Sequence, residues 1–199
     1  MWRSVCGRDA VVAFEMDLQN RQPPTPHRDS GSITYRLDVV ASSAADVVGS
    51  IGGWLYDRVR SGWDVTVLLA QECDDRPLQI LGMHAMSLDP QILSANTECA
   101  ARGLAVSADI FAADARIRQE VLAALDRRMT EVTLWQDDWP LIVGHRTTTV
   151  QHVLSGAARA FKHHALAAAG VPAVVGPTET LRSDMKASLP VDSELIPVG

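Results

Sequence analysis

The stretch LIVGHRTTT, residues 141–149, combines residue types that bind small anions. Its pattern predicts an apolar strand that ends at Gly144 and a helix that begins near Thr148. A helix start offers unpaired N–H groups with partial positive charge, and an arginine beside it adds a forked donor. The sequence therefore predicts a ligand-binding loop for a small anion, made of Gly144, His145, Arg146, Thr147 and Thr148.

Two interpretations of this loop remain open at the sequence level. In the first, one threonine caps the helix while His145 and Arg146 are simply solvated. In the second, Arg146 clamps a phosphorylated or nucleotide-like small molecule and His145 acts as acid or base. The glycine spacing and lysine of a phosphate-binding P-loop are missing, so the nucleotide itself is not specified.

The glycine-rich segment Gly49-Ser50-Ile51-Gly52-Gly53 is a second candidate, with Glu72 about twenty residues later. It loosely resembles a dinucleotide-binding turn but departs from the G-x-G-x-x-G spacing. It also lies inside an amphipathic helical pattern rather than at a strand–helix junction. Close packing of small residues on a neighbouring element is therefore the favoured explanation.

Acidic side chains near strand ends form a third candidate, because several carboxylates that converge can hold Mg²⁺. The sequence does not show that they converge, and solvated acids in turns are the default interpretation. The residues concerned are Asp74, Asp75, Asp109, Asp114, Asp137 and Asp138.

Histidine and cysteine spacing predicts no metal site. His152 and His163 share a polar helical stripe with Ser155 and Arg159, but they are too far apart for a close zinc-binding pair. The three cysteines have no C-x-x-C spacing, which argues against a disulfide framework or a structural zinc. No cofactor is assigned from the sequence.

The elements that must position these residues begin with a strand–helix–strand unit. Residues 33–41 alternate apolar and polar side chains, which predicts a half-buried strand near a sheet edge. Apolar residues then recur every three or four positions from Ser42, with Gly62 as the helix stop. Residues 65–70 form an apolar run typical of a central strand covered on both faces.

The rest of the chain continues this alternation of strands and helices. It predicts an α/β fold of three layers, in which a mostly parallel, doubly wound (Rossmann-like) sheet carries helices on both faces. The short strand at 78–82 either forms a hairpin with the strand before it, which adds one antiparallel strand, or belongs to a locally irregular region. The further predicted helices are 89–103, 117–129 and 148–169, and the further strands are 104–111, 132–135, 141–144 and 172–175.

Length and composition favour one domain. A chain of 199 residues with 47% hydrophobic residues can bury a single full core. The polar, proline-containing segment that ends near residue 31 predicts a flexible N-terminal arm, residues 1–31, with a short edge strand at residues 11–16 as the alternative. The domain is then expected to span residues 32–175, followed by a loosely ordered tail at 176–199.

Charge and hydropathy limit the partners. The net charge of −6 argues against a nucleic-acid surface or an anionic membrane surface, because both need positive potential. Charged residues interrupt the apolar positions near the start, and no apolar run is long enough for a membrane span. The sequence therefore predicts a cytoplasmic protein, and it leaves a homo-oligomer open.

Two functions are compatible with these features. The favoured one is a non-catalytic α/β module that binds a protein partner or a small ligand, with Trp54, Trp63, Trp135 and Trp139 as contact or core groups. The alternative is an enzyme that acts on a phosphorylated or nucleotide-like molecule through the loop at residues 144–149. The absence of a recognised catalytic motif favours the first.

Overall fold

A mixed sheet of eight strands lies at the centre of the part of the chain that the structure describes. The computed structural model describes residues 35–71, 73–89, 102–127, 130–137, 139–184 and 195–197. The strands are β1 Arg36–Ala41, β2 Asp64–Leu69, β3 His84–Ser87, β4 Arg102–Ser107, β5 Thr130–Trp135, β6 Thr148–Val153, β7 Thr178–Ser183 and β8 Leu195–Pro197.

The sheet order is β3-β2-β1-β4-β5-β7-β6-β8. The first five strands in this order are parallel to one another. By contrast, β7 pairs antiparallel with β5 and β6, and β8 pairs antiparallel with β6. The predicted mostly parallel α/β sheet is therefore confirmed, with more antiparallel pairing than the single strand expected.

Helices cover the sheet on both faces, as predicted. Apolar residues of the first, second and sixth helices pack in one hydrophobic cluster. Those of the third, fourth and fifth pack in another. The helices among the described residues are α1 Ala44–Arg60, α2 Arg76–Ile80, α3 Ala108–Ala113, α4 Ala115–Arg127, α5 Leu141–Gly144 and α6 Gly156–Ala168. None of them is long and apolar enough to cross a membrane.

The strand–helix–strand unit at the start of the domain is confirmed, with one correction. The hydroxyl of Ser43 accepts the backbone N–H of Asp46 and begins α1, and Gly62 has a φ of 91° just beyond its end. The prediction that β1 lies near an edge is wrong, because β2 and β4 flank it. The polar residue that suggested an edge, Asp38, is buried and accepts a hydrogen bond from Arg36 Nε at 2.9 Å.

The glycines of α1 are explained by close packing. A Cβ atom on Gly53 would lie 2.5 Å from a methyl carbon of Leu154 and 3.0 Å from Oε1 of Glu179. One on Gly52 would lie 3.1 Å from a methyl carbon of Leu81. The segment is therefore the close-packing site that the sequence favoured and not a nucleotide-binding turn.

The predicted hairpin strand at 78–82 is wrong. Those residues belong to α2 and the turn after it, where Gly82 has a φ of 80°. Pro77 in the first turn favours the helix, because its missing N–H would be unsatisfied there in any case. This short helix suffices to cross over, so β3 is parallel to β2.

The predicted strand at 141–144 and the helix from 148 are also wrong. Residues 141–144 form α5, which follows Pro140, and residues 148–153 form β6. The run of threonines and valine there is rich in β-branched side chains, which suit strands. The helix predicted at 148–169 therefore covers a region that is divided between β6 and α6. The Ser155 hydroxyl caps the start of α6.

Several boundaries differ from the prediction. β4 ends at Ser107, whose hydroxyl accepts the N–H of Ile110 and begins α3. Residues 172–175 are not a strand, whereas β7 and β8 lie in the stretch 176–199 that was expected to be a loose tail. The predicted helix at 89–103 lies almost entirely outside the described residues, and Gly103 belongs to β4. The arm at 1–31 is also outside them and stays a prediction.

Candidate functional site

The strand order creates a crevice between the ends of β1 and β4. From β1 the chain moves outward to β2 and β3, whereas from β4 it moves to β5 on the other side. In open α/β sheets, ligands bind at such a switch point, beyond the carboxyl ends of the strands. The segments after β1, β4 and β5 are therefore the first place to look for chemistry.

Asp46 lies at this point, in the first turn of α1. Its Oδ2 accepts from Trp135 Nε1 at 3.2 Å, and its Oδ1 accepts from Gln136 Nε2 at 3.0 Å. The hydroxyl of Ser50 also donates to Oδ1, at 3.1 Å. Since Trp135 ends β5 and Gln136 follows it, the carboxylate connects α1 to the far side of the crevice.

Gln136 joins Asp46 to a second carboxylate. Its Nε2 also lies 3.4 Å from Oδ2 of Asp109, and its Oε1 accepts from the backbone N–H of Asp109 at 3.2 Å. Gln136 has a φ of 70°, a left-handed conformation that is uncommon for residues other than glycine. Such strain often occurs at functional sites, where the surrounding contacts hold it in place.

Burial raises the pKa of the Asp46 carboxyl above its ordinary value. The charge of Asp109 adds to this rise in pKa, while the hydrogen bonds from Trp135, Ser50 and Gln136 oppose it because they favour the ionised form. A carboxylate with a raised pKa is a stronger base, and a larger fraction of it is protonated near neutral pH and so can act as an acid. Asp46 therefore has the environment expected of a general acid or base.

Two surface pockets flank this part of the sheet edge. One, of about 380 Å³, lies beside the start of α3 and the segment after β5. The other, of about 180 Å³, lies at the ends of β2 and β3 and is lined by Leu69, Gln71, Cys73, Asp75, Ala85, Met86 and Ser87. Asp46 itself lines neither pocket, so a ligand in one of them would lie beside the Asp46 network rather than on it.

The described acids do not converge as a magnesium site would require. No group of three or more His, Cys, Asp or Glu side chains that could hold a metal occurs among the described residues. Asp74 and Asp114 instead accept the backbone N–H groups of Arg76 and Arg116. Asp138 lies outside the described residues.

The loop predicted to bind an anion has a different geometry from the one expected. It connects α5 to β6, so no helix begins there, and the N–H groups of His145 and Arg146 donate to backbone carbonyls of α5. Arg146 is partly exposed and pairs with Asp126. Ligand binding by Gly144, His145, Arg146, Thr147 and Thr148 stays a prediction, without the helix start from which it was derived.

Arg182 of β7 holds this loop in place. Its guanidinium donates to the carbonyls of Gly144 and Thr147, each at 3.2 Å. It also donates to the hydroxyls of Thr147 and Thr149, at 3.1 and 3.2 Å. Two of the residues expected to surround a ligand, Gly144 and Thr147, therefore bind a side chain of the protein itself.

A cluster around Asp57 lies elsewhere in the fold. Oδ2 of Asp57 lies 2.9 Å from His152 Nε2, and Oδ1 accepts from the Ser155 hydroxyl at 2.6 Å. Because the carboxylate lies between the other two groups, the imidazole is not placed to take the serine proton. The cluster anchors the β6–α6 connection to α1. The polar helical stripe predicted from His152 to His163 is therefore not one helix face, because His152 lies in β6 and Ser155 caps α6.

Asp46 and Gln136 are not among the candidate site residues that the sequence predicts. Asp46 has the spacing of a residue on the polar face of the predicted helix, and Gln136 lies in a segment whose composition is typical of a turn. One signal was available: both follow strands that were correctly predicted, and both lie beyond the carboxyl ends of those strands. Their meeting depends on strand order, which the sequence did not provide.

Comparison with known proteins shows similarity at the level of fold. No family model and no curated protein matches the chain. A deacetylase solved in complex with teicoplanin has a TM-score of 0.52 at 15% identity, covering 74% of this chain and 97% of that chain. The zinc inhibited form of teicoplanin deacetylase has a TM-score of 0.51 at 14% identity, with the same coverage. A deacetylase of an antimicrobial pseudoaglycone has a TM-score of 0.50 at 15% identity, covering 79% and 100%.

These similarities correct the predicted function. Sequence identity of about 15% shows a shared fold and transfers no individual residue. The three solved structures named above are nevertheless deacetylases, and the favoured prediction of a non-catalytic binding module is wrong on that finding. Two of the similar structures contain a small molecule.

Proposed function

We propose that this chain is a hydrolase that removes an acyl group from a small molecule, with Asp46 as the general acid and base. The observation that carries the proposal is the environment of Asp46. Its carboxyl group has a raised pKa, lies at the switch point of the sheet and is held by Trp135 and Gln136. The deacetylases that share the fold support the reaction class.

The proposed reaction needs one group that first takes a proton and then returns it. Asp46, ionised, removes a proton from a water molecule whose oxygen attacks the acyl carbon. The tetrahedral intermediate then collapses, and the bond from the acyl carbon to the leaving nitrogen or oxygen breaks. Protonated Asp46 gives its proton to that atom, so that water has been added across the bond and the carboxyl group is ready for another cycle.

The neighbours of Asp46 suit both halves of this cycle. Burial favours the protonated form, whereas the donors on Trp135 and Gln136 favour the ionised form. The two effects oppose each other, which prevents either form from being too stable to react. The same two donors hold the carboxylate in one orientation, as proton transfer over a short distance requires.

No step of this reaction is assigned to a metal ion. The described acids at this edge, Asp46 and Asp109, share the amide of Gln136 as a hydrogen-bond donor, and no third protein ligand accompanies them. A catalytic zinc site requires three such ligands. The donor set of the described residues therefore does not fit zinc.

The proposed substrate is a small acylated molecule in the cytoplasm. A net charge of −6 and the carboxylates at the crevice disfavour nucleic acid or an acidic surface as substrate. A neutral acylated compound meets no such repulsion. An acylated amino sugar or a simple acyl ester is the first choice for an assay.

Hydrolysis assays with matched asparagine variants test the proposal. The wild type is incubated with an N-acetylated amino sugar and with 4-nitrophenyl acetate, and the release of acetate is measured. Asp46→Asn should reduce the rate at least about a hundredfold, because it removes the proton acceptor. Asp64→Asn, at an exposed position of β2, is the control and should keep the wild-type rate. An undiminished rate in Asp46→Asn, or no hydrolysis of either compound by the wild type, would contradict the proposal.

A further inference from the structure

The pocket beside the start of α3 has aromatic walls and a basic rim. It measures about 380 Å³ and lies next to the segment that follows β5. Sites for small molecules have such volumes and combine mostly apolar walls with a few polar groups. Its lining residues are Ala108, Phe111, Ala112, Arg118, Trp139 and Pro140.

Phe111 and Trp139 form the apolar part of this pocket. Their ring centroids are 5.0 Å apart, and the ring planes are tilted by 59°. Phe111 is 3% exposed, whereas Trp139 is only partly buried, so part of its indole is accessible. The indole N–H donates to the Gln136 carbonyl at 3.1 Å, which fixes the orientation of that ring. A fixed indole that lines a pocket is suited to stack against another ring.

Arg118 supplies the polar part. Its Nε and one terminal nitrogen donate to the carbonyls of Phe111 and Ala112, at 3.3 and 2.8 Å. These bonds hold the guanidinium 5.8 Å from the Phe111 ring centroid. A guanidinium has five N–H donors, and within the described part of the chain these two bonds use two of them. The others are available to a hydroxyl or carbonyl oxygen on the rim of a bound ring.

The pocket is connected to Asp46 through two hydrogen-bonded steps. Trp139 binds the backbone carbonyl of Gln136, and the side chain of Gln136 binds Asp46. Ala108, which lines the pocket, is adjacent in sequence to Asp109 of the same network. A molecule in the pocket is therefore next to the crevice at the switch point.

From these contacts we infer that the pocket walled by Phe111, Arg118 and Trp139 binds a ring with an apolar face. The ring stacks on the indole of Trp139, while its polar substituents accept hydrogen bonds from Arg118. The inference rests on the proposed function to the extent that this ring belongs to the substrate whose acyl group lies at Asp46. Both a sugar, through its C–H face, and an aromatic ring have this chemistry.

The test monitors the indole of Trp139 directly in the full chain. Protein with ¹⁵N-labelled tryptophan is titrated with methyl glucoside and, separately, with benzyl alcohol, and the indole N–H signals are recorded by NMR. Trp139→Phe identifies the signal of Trp139 by its loss. We expect a saturable shift of that signal with one or both compounds, and the compound that binds tells whether the ring is a sugar or an aromatic one. No saturable shift with either compound would overturn the inference.

A pair of neighbouring alanines provides a matched control. Ala112 lines the pocket, whereas Ala113 is the next residue of α3 and does not. Both positions are exposed, so a large side chain at either should leave the fold intact. Ala112→Trp fills the pocket and should raise the dissociation constant at least about tenfold, while Ala113→Trp should leave it unchanged. Equal effects of the two substitutions would also overturn the inference.

Hydrolysis measured on the same samples separates this inference from the proposed function. Ring binding without acyl hydrolysis would support the inference about the pocket and contradict the proposed hydrolase function. Hydrolysis that depends on Asp46, without ring binding at Trp139, would support the proposed hydrolase function and contradict the inference about the pocket.

Discussion

The indole nitrogen of Trp135 lies 3.2 Å from the carboxylate of Asp46, although 89 positions separate the two residues in the chain. Trp135 ends β5 and Asp46 lies in the first turn of α1, so the bond reaches across the end of β4, which lies between β1 and β5. The candidate site therefore depends on strand order. A carboxylate on one side of the switch point is oriented by donors from the other side.

The first prediction concerns the pH dependence of stability. A raised pKa means that the folded protein binds the Asp46 proton more tightly than the unfolded chain does, so ionisation opposes folding. The stabilising contribution is fully present below the unfolded pKa, near the ordinary value of 3.8, and is lost as the pH rises through the folded pKa. In Asp46→Asn no carboxyl group ionises at this position, so this loss of stability with rising pH does not occur. Its free energy of unfolding should fall less than that of the wild type as the pH rises above 3.8.

Urea unfolding at a series of pH values measures this difference. Asp64→Asn serves as the control, because that exposed side chain is remote from the crevice. The control should follow the wild-type curve. If the Asp46→Asn curve instead runs parallel to the wild type at all pH values, the Asp46 carboxyl does not have a raised pKa.

Local patterns predicted the parallel half of the fold. The helical period from Ser42 and the stripe of α4 each come from burial of one helix face, and the apolar run at residues 65–70 comes from burial of a strand on both faces. Such burial leaves a regular spacing that needs no knowledge of the partner. The antiparallel half has weaker signals, since the burial pattern of β6 alternates irregularly and its threonines also fit a helix start.

The candidate site was not predictable in the same way. Asp46 has the spacing of a solvent-facing helical residue, and only its distant partners Trp135 and Gln136 distinguish it. Arg146, by contrast, has a suggestive local setting, but no helix begins there and Arg146 pairs with Asp126. Chemistry at a switch point depends on which strands are neighbours, and the sequence pattern does not specify this.

The second prediction concerns the close packing of α1. Gly53→Ala places a Cβ within 2.5 Å of a Leu154 methyl carbon and 3.0 Å of the Glu179 carboxylate, so it should destabilise the protein by about 1–3 kcal/mol. A Cβ atom on Gly49, in the same helix, would have no neighbour within 4 Å, so Gly49→Ala should stabilise the protein by about 0.5–1 kcal/mol. Chemical denaturation of both variants measures the difference. Similar effects of the two substitutions would contradict the packing explanation.

The third prediction concerns the buried pair of Lys162 and Glu179. Lys162 Nζ donates to Glu179 Oε1 at 2.5 Å and to the Gly49 carbonyl at 2.7 Å. The carboxylate also accepts the N–H groups of Gly53 and Trp54, at 2.9 and 2.7 Å. Lys162→Met or Glu179→Gln alone should cost about 3–5 kcal/mol, because each leaves a buried charge without its counterion.

A double-mutant cycle tests this pair against a simple loss of packing. The variant with both substitutions has no buried charge, so its free energy of unfolding should exceed the value expected from adding the single effects. The coupling should be at least about 1 kcal/mol. Additive effects would show that the charges do not stabilise each other.

The last prediction separates the two arginines at the loop that follows α5. Arg182 donates four hydrogen bonds to Gly144, Thr147 and Thr149, and a substitution would leave these acceptors without their donor. Arg182→Ala should therefore cost about 1–3 kcal/mol, and Arg182→Lys should restore little, because an ammonium lacks the planar fork. Arg146→Ala breaks only an exposed pair with Asp126, so its free energy of unfolding should change by less than about 1 kcal/mol. Thermal unfolding of the three variants ranks their stabilities. A loss of stability in Arg146→Ala as large as that in Arg182→Ala would contradict the assignment of Arg182 as the residue that holds the loop.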